Sequence, residues 1–221
     1  MMTYSTLSTQ TQSFQAMTGL TPSEFQDLLP AFVAAYERAS PLAQTADGRA
    51  RQRWPGAGRR SVLERTEDKL LFVLVYLKTY PIQTLLGQLF GISTSQANHW
   101  LHRLLPVLLS ALDDLGLAPE RDGPRLARRR GAPAGPAALI IDGTERRRRR
   151  PKNPEKQARH SSGKKKAHTD KNVVVTSAAD DRVLFLSATY PGATNDKRIA
   201  DEERLRYPPG TTLDKDAGFQ G

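Results

Sequence analysis

The period of the hydrophobic pattern changes once along this chain, and the change dictates two differently built halves. Up to about residue 115, apolar side chains recur every three or four positions, the spacing of a helix face. From residue 137 they come in short runs bounded by turn residues, the spacing of strands. The stretch between, residues 116–136, has no apolar period and collects Pro, Gly and Arg, so it reads as a linker. The expected architecture is multidomain, α then α/β. A disordered polar segment spans 1–20, a helical domain 21–115, the linker 116–136 and a strand-bearing domain 137–221. A chain of 221 residues can bury one sizeable core or two small ones.

In the helical half, Thr21-Pro22-Ser23-Glu24 supplies a cap, a proline for the first helical position and an acid that closes a capping box. Phe25, Leu28, Leu29, Phe32, Val33 and Tyr36 then line one face, Pro30 is a candidate kink, and Ser40-Pro41 ends the helix. Residues 43–60 carry Arg49, Arg51, Arg53, Arg59 and Arg60 around Trp54-Pro55-Gly56. They read as an exposed basic loop, either a solvated linker or an arm that contacts phosphates. A strongly apolar helix over Thr66–Tyr80 follows, with Thr66 as its cap and Glu67 and Asp68 in its first turn. Gln83–Arg103 then has helix-turn-helix spacing: Gly87 where two helices cross, Gly91 for a left-handed turn, Ile92 as a core plug and Ser93 starting the second helix. Ala97, Trp100 and Leu101 would face inward. Thr94, Ser95, Gln96, Asn98, His99 and Arg103 would face outward, and these residue types bond phosphates and base edges. Plain helical hairpins share this spacing; the charge of the chain favours DNA.

That charge is +10, with a pI near 10.1, which fits a nucleic-acid partner better than an anionic membrane surface. The absence of cysteine excludes thiol catalysis, disulfides and cysteine-ligated zinc. His99, His102, His160 and His168 are too scattered to suggest a metal site and read as surface or backbone-bonding residues. The first residues lack the charged start and apolar centre of a signal peptide, and the apolar run from Leu70 to Leu77 is far short of the roughly 20 residues a membrane span needs. A soluble, intracellular protein is expected.

In the second half, Ala137–Glu145 reads as a buried strand that delivers one carboxylate, Asp142, into a run of five arginines, Arg146–Arg150. Residues 164–177 and 182–189 read as further strands joined by a hairpin at 178–181. A helix capped by Asn195 or Asp196 runs to Arg206, and Thr211–Asp216 is a fourth strand. A right-handed crossover sets that strand beside the first, bringing Asp142 and Asp216 to adjacent strand ends. Two such acids repel unless a cation lies between them, and a hard divalent ion, Mg²⁺ or Mn²⁺, prefers carboxylate oxygens. The ion could activate water against a phosphodiester, while Arg146, Arg147, Arg148, Lys164, Lys165 and Lys166 hold the DNA backbone. Other readings stand beside this one. Asp142 before Gly143 and Asp216 before Ala-Gly could cap turns, and Asp214, on the same sheet face as Asp216, competes with it as the second acid.

Four blocks carry more than their spacing: Asp142-Gly-Thr-Glu145, Ser162-Gly-Lys-Lys-Lys-Ala-His-Thr169, Leu186–Arg198 and Asp216-Ala-Gly-Phe-Gln-Gly221. In order, they resemble the DDE transposases of the IS5-like insertion-sequence superfamily, in which a helix-turn-helix precedes the nuclease domain. The resemblance covers roughly residues 60–221. It implies an RNase H-like mixed sheet, here incomplete, with Asp142 matching the first acid of the triad and Asp216, preferred on this ground over Asp214, the second. Asp196 falls where the family often has a His-Asp pair, with Asn195 in place of the His. Lys164, Lys165, Lys166 and His168 match a basic block expected to contact DNA or steady the site.

The third acid, a Glu on a later helix, has no counterpart within these residues. The expectation is therefore a chain inactive alone: a relic, a fragment or the upstream product of a split reading frame. The expected partners are double-stranded DNA, at transposon ends and target, and a second copy or a full-length transposase; the expected place is the nucleoid of the cytoplasm. A non-catalytic DNA-binding regulator of transposition is the second reading, and a basic protein that prefers RNA the third.

Overall fold

The fold is that of a computed structural model, which describes residues 1–40, 49, 61–128 and 137–219. The chain divides into two compact units, Met1–Leu115 and Gly116–Gly221. Apart from the exposed Arg49, the basic loop expected over 43–60 lies outside the described residues.

The first unit consists of six helices: α1 (Tyr4–Leu7), α2 (Thr11–Thr18), α3 (Pro22–Ala39), α4 (Thr66–Thr79), α5 (Gln83–Phe90) and α6 (Thr94–Asp114). Every residue of α4 from Asp68 to Val75 is buried, which makes it the central helix. Phe14, Phe25, Phe32, Phe72 and Phe90 are fully buried in the core around it. The capping box of α3 forms as the sequence predicts, Thr21 accepting from the Glu24 amide and Glu24 accepting from the Thr21 amide. The cap of α4 does not. Its N-cap is Arg65, without a side-chain bond, and Thr66 is already helical. The buried Asp68 carboxylate instead accepts the Tyr4 amide at 2.7 Å. Pro30 and Pro106 lie inside α3 and α6, which continue through them because Leu28, Phe32, Leu104 and Val107 are packed into the core on either side.

The disorder expected over residues 1–20 is corrected by α1 and α2. Tyr4 stacks on Phe25 at 4.7 Å, and Phe14 meets the edge of Phe25 at 5.4 Å. Burying one aromatic ring contributes about 1.5–3 kcal/mol, enough to offset the ordering of a few residues. Two aromatics in a polar segment are a weak periodic signal, so the pattern alone missed these helices.

Helices α5 and α6 have the geometry their spacing predicts. A Cβ on Gly87 would lie 2.6 Å from the Ile92 carbonyl oxygen, so only glycine lets the turn pack this closely. Gly91 closes α5 with φ of 67°. Ser93 and Gln96 form the capping box of α6. Ser93→Ala is expected to destabilise this unit by about 1 kcal/mol, read as a lower urea midpoint with an unchanged slope.

The second unit begins before the expected linker ends. Glu120 donates its amide to Leu184 O at 2.8 Å and accepts from Leu186 N at 3.0 Å, and a 3-10 turn at Gly123–Arg128 buries Leu126. Residues 116–128 therefore belong to the folded unit, held by backbone bonds that an aperiodic sequence does not advertise; 129–136 lie outside the described residues. The elements are β1 (Ala138–Arg147), α7 (Pro154–His160), β2 (Ser161–Ser162), β3 (Ala167–Ser177), β4 (Val183–Leu186), β5 (Tyr190–Pro191), α8 (Asp196–Glu202), β6 (Thr212–Lys215) and a 3-10 turn at Ala217–Phe219.

Strand β3 is central. It pairs antiparallel with β1 from Leu139↔Ser177 to Arg147↔Thr169, and also with β2, β4 and β5. Strand β6 runs parallel to β1 on the far side, so the sheet is mixed and the last strand lies beside the first, as expected. Leu139, Ile141, Val173, Val175, Leu184, Phe185 and Ile199 form the core.

Several boundaries differ from the sequence reading, among them the strands expected over 182–189 and Thr211–Asp216, which are Val183–Leu186 and Thr212–Lys215. Strand β1 runs on to Arg147 and alternates between buried and exposed residues, because its polar end still finds a partner in β3. The stretch poor in apolar residues forms α7, capped by Asn153 with Pro154 at its start. Strand β3 starts at Ala167, leaving Lys164–Lys166 in a turn where Lys166 takes φ of 48°. Helix α8 stops at Glu202, and Arg204 at φ of 52° turns the chain so that Arg206 donates its amide to Gly123 O at 3.1 Å.

Candidate active site and nucleic-acid interface

The parallel register of β1 and β6 ends at Ile141↔Lys215, and the next residue on each segment is an acid, Asp142 and Asp216. Both are exposed. Asp142 Oδ1 accepts the Gly143 amide at 2.7 Å, so the local bond of the turn-capping reading is present within a strand that continues. Asp214, the competing acid, lies one pair earlier, opposite Ile140.

On the other face of β1 is a network that the sequence reading did not assemble. Strand alternation puts Glu145 on the side of Leu139 and Ile141, and Lys171 on the side of Val173 and Val175. Lys171, 8% exposed, stands 3.5 Å from Glu145 Oε1 and 3.1 Å from Asp196 Oδ1, and donates to the Thr194 carbonyl at 2.9 Å. Glu145 also accepts from Thr169 Oγ1 at 2.9 Å. The Asp196 Oδ1 atom is buried with no hydrogen-bond donor, so its contact with Lys171 is Coulombic. A Cβ on Gly143 would come within 2.4 Å of that oxygen, and one on Gly218 within 3.2 Å of Asp196 Oδ2. The Asp196 carboxylate thus fits against the residue after Asp142 and against the turn after Asp216. The available signal was Lys171 itself, a cation two residues before Val173 on the same strand face.

Burial pushes the Glu145 carboxyl up. The hydrogen bonds from Ser162 and Thr169 and the charge and hydrogen bond of Lys171 outweigh it and hold the group below its usual value.

A cavity of about 540 Å³ opens beside this network, lined among others by Asp142, Glu145, Asp196, Lys164 and Lys165. Asp216 and Lys166 are not among its lining residues. Two expected phosphate-binding arginines are engaged within the protein. Arg146 donates to Oδ1 of the buried Asn172 at 2.9 Å, and Arg148 to Asp170 at 2.8 Å. His160, whose ring stands 3.1 Å from Asp170, shares that pair, and Arg150 bonds Gln157. Among the described residues Arg147 and Arg149 make no such side-chain bond and are exposed. A polar strand end with its own partners explains why arginines alternate between the two roles.

On α6, Thr94, Ser95, Gln96, His99 and Arg103 are exposed and Asn98 is half-buried. Four of them are tied down, Thr94 among them, donating to Thr84 Oγ1 at 3.3 Å. Asn98 donates to Gln83 at 3.2 Å, Gln96 closes the capping box, and Arg103 bonds Ser40 Oγ at 2.7 Å while stacking on Tyr36 and Trp100. Ala97 and Leu101 face inward as expected, and Trp100 is half-buried. The buried Lys69 lies over the same two rings and donates to Glu64 O. Burial, and then the nearby Arg103 charge, lower its affinity for a proton.

The carboxylate oxygens beside this cavity suit a hard divalent ion in kind. Among the described residues, no three His, Cys, Asp or Glu side chains gather closely enough to hold one. Because Glu145 is held below its ordinary value in the folded state, it contributes stability above that ordinary value. This stability is lost as pH falls through the lowered one. Unfolding followed from pH 6 downward, with those pH values as about the useful window, should lose stability in the wild type and lose less in Glu145→Gln.

No curated protein and no solved structure matches the chain. Residues 62–113 match the family model described as the helix-turn-helix of DDE superfamily endonuclease, and residues 141–221 match the model described as DDE superfamily endonuclease. In that order the chain is similar to the helix-turn-helix and then to the endonuclease part of the DDE superfamily.

Proposed function

We propose that the chain belongs to a transposase of the IS5-like type, recognising transposon ends through α6 and supplying Asp142 and Asp216 to an RNase H-like sheet on which DNA strands are cut and joined. The observation that carries this reading is the β1/β6 register, in which Asp142 and Asp216 directly follow the last pair. Endonucleases of this superfamily generally use divalent metal ions. Asp142 and Asp216 are the side chains that would hold Mg²⁺ or Mn²⁺ here. When bound, such an ion activates a water and stabilises the leaving oxygen of a phosphodiester.

The residues around the acids have separate roles. Lys164 and Lys165, on the cavity wall beside Asp142, neutralise the phosphates of a strand drawn toward the acids. Arg147 and Arg149 are the side chains of the arginine run that reach the DNA backbone. Arg146 and Arg148 keep the polar end of β1 on β3. On α6, Ser95 and His99 are exposed with no hydrogen bond within the protein among the described residues, so they read base edges, and Thr94 beside the helix start reaches phosphate. A second copy or a full-length transposase is the expected protein partner, because two transposon ends must be brought together.

Two measurements test this. Mn²⁺ binding followed by electron paramagnetic resonance should be saturable in the wild type and lost in Asp142→Asn and Asp216→Asn. Binding insensitive to both substitutions overturns the assignment. Selection from a random duplex pool should enrich a sequence, and His99→Ala should relax that preference at a cost of about 1–3 kcal/mol. Lys165→Ala should leave the sequence preference intact and flatten the dependence of log affinity on log salt by about 1. A pool returned without enrichment would sink the recognition-helix reading.

A further inference from the structure

We infer that Asp196 and Lys171 are positioning residues for the two acids: an ion pair between a buried lysine and a half-buried carboxylate that seats the acid-bearing end of β1 against the turn following β6. The proposal rests on the reading of Asp142 and Asp216 as metal-holding acids, and of its contacts the bond from the Gly143 amide is the one that reaches an acid side chain, that of Asp142.

Six contacts form a chain. Lys171 is anchored from three sides, by the Thr194 carbonyl, Glu145 and Asp196. Asp196, the first residue of α8, is drawn to it at 3.1 Å. The same carboxylate rests on Gly143 and Gly218, where the added Cβ atoms would meet it at 2.4 Å and 3.2 Å. Finally, the Gly143 amide donates to Asp142 Oδ1, so the place of Gly143 sets the direction of that carboxylate. Displacing Asp196 moves the donor that orients Asp142, and releases Gly218, two residues after Asp216.

The buried Asp196 oxygen is informative. A carboxylate oxygen removed from water with no hydrogen-bond donor is costly, and it persists here because the Lys171 charge lies beside it. A helix start needing only a cap has one already, since Asn195 accepts the Lys197 amide at 2.9 Å. Capping therefore does not account for Asp196; an acid in the first turn also suits the helix dipole, and the contacts with the two glycines and Lys171 are what fix where its carboxylate lies.

Two readouts test the proposal on the full chain. The first is a double-mutant cycle in thermal unfolding with Gly143→Ala and Asp196→Ala. If the carboxylate rests on Gly143, the added methyl should destabilise the wild type far more than the chain from which the carboxylate is gone. Additive effects overturn the contact. The second is Mn²⁺ affinity, measured below the unfolding temperature of every variant.

Removing a cation near a metal site by charge alone should tighten Mn²⁺ binding. Loss of positioning should weaken it, so Lys171→Met is expected to lose affinity on the order of tenfold, as outer-shell partners of metal ligands typically do. Lys171→Arg should retain more of it. Unchanged or tighter binding in Lys171→Met overturns the proposal. Should Lys171→Met fail to fold, Asp196→Asn, which keeps the shape and removes the charge facing Lys171, is expected to weaken binding less than Asp142→Asn. A loss equal to that of Asp142→Asn would make Asp196 a direct ligand and overturn the positioning role. A wild type that binds no Mn²⁺ overturns the metal reading and, with it, the claim that these residues orient metal-holding acids. The unfolding cycle then still decides whether Asp196 is seated on Gly143.

Discussion

A lysine ammonium nearly sealed from water is the constraint on which the second unit turns. Burying Lys171 is costly unless opposite charge and hydrogen-bond acceptors surround it, and the fold supplies them from β1, from the loop before α8 and from α8 itself. Because those groups come from distant parts of the sequence, the ammonium is satisfied only when the strands, the loop and the helix are all in register. The apolar core of Leu139, Ile141, Val173 and Val175 continues on the same face of the sheet. Hydrophobic burial holds one end of β1 and β3 together, and charge holds the other.

The first unit handles its buried cation differently. Lys69 lies over Tyr36 and Trp100, with Arg103 over the same two rings, so π faces and the Glu64 carbonyl stand where carboxylates stand around Lys171. Proximity of two cations disfavours the charge on the buried one, consistent with the lowered proton affinity of Lys69. The stack also fixes the middle of α6 on α3, which leaves the exposed first turns of α6 as the part open to a ligand.

Much of this was legible in the residues. The capping boxes at Thr21 and Ser93, the two glycines of the helical turn and the return of the last strand beside the first follow from local rules of spacing and handedness. Other features depended on partners far away in sequence. Phe14 orders a polar segment only because Phe25 is there to meet it, and residues 120–128 fold only because β4 and the segment after α8 supply hydrogen-bond partners for their backbone groups. For the site, strand order brought the end of the last strand beside Asp142, and the resemblance preferred Asp216 to Asp214 there. Asp196 could not be read, because its place depends on two glycines that lack side chains and so carry no periodic signal.

The arginine run has a consequence for how the chain as a whole is regarded. Arg146, Arg148 and Arg150 are each bonded to a side chain of the same unit, while Arg147 and Arg149 are bonded to none among the described residues. Two neighbouring residues of identical charge therefore belong to different economies: one is a strut of the sheet, the other a hand held out to solvent. The formal charge of +10 counts both alike. As a measure of how many counterions a nucleic acid would release on meeting this surface, it overstates the reach of the protein.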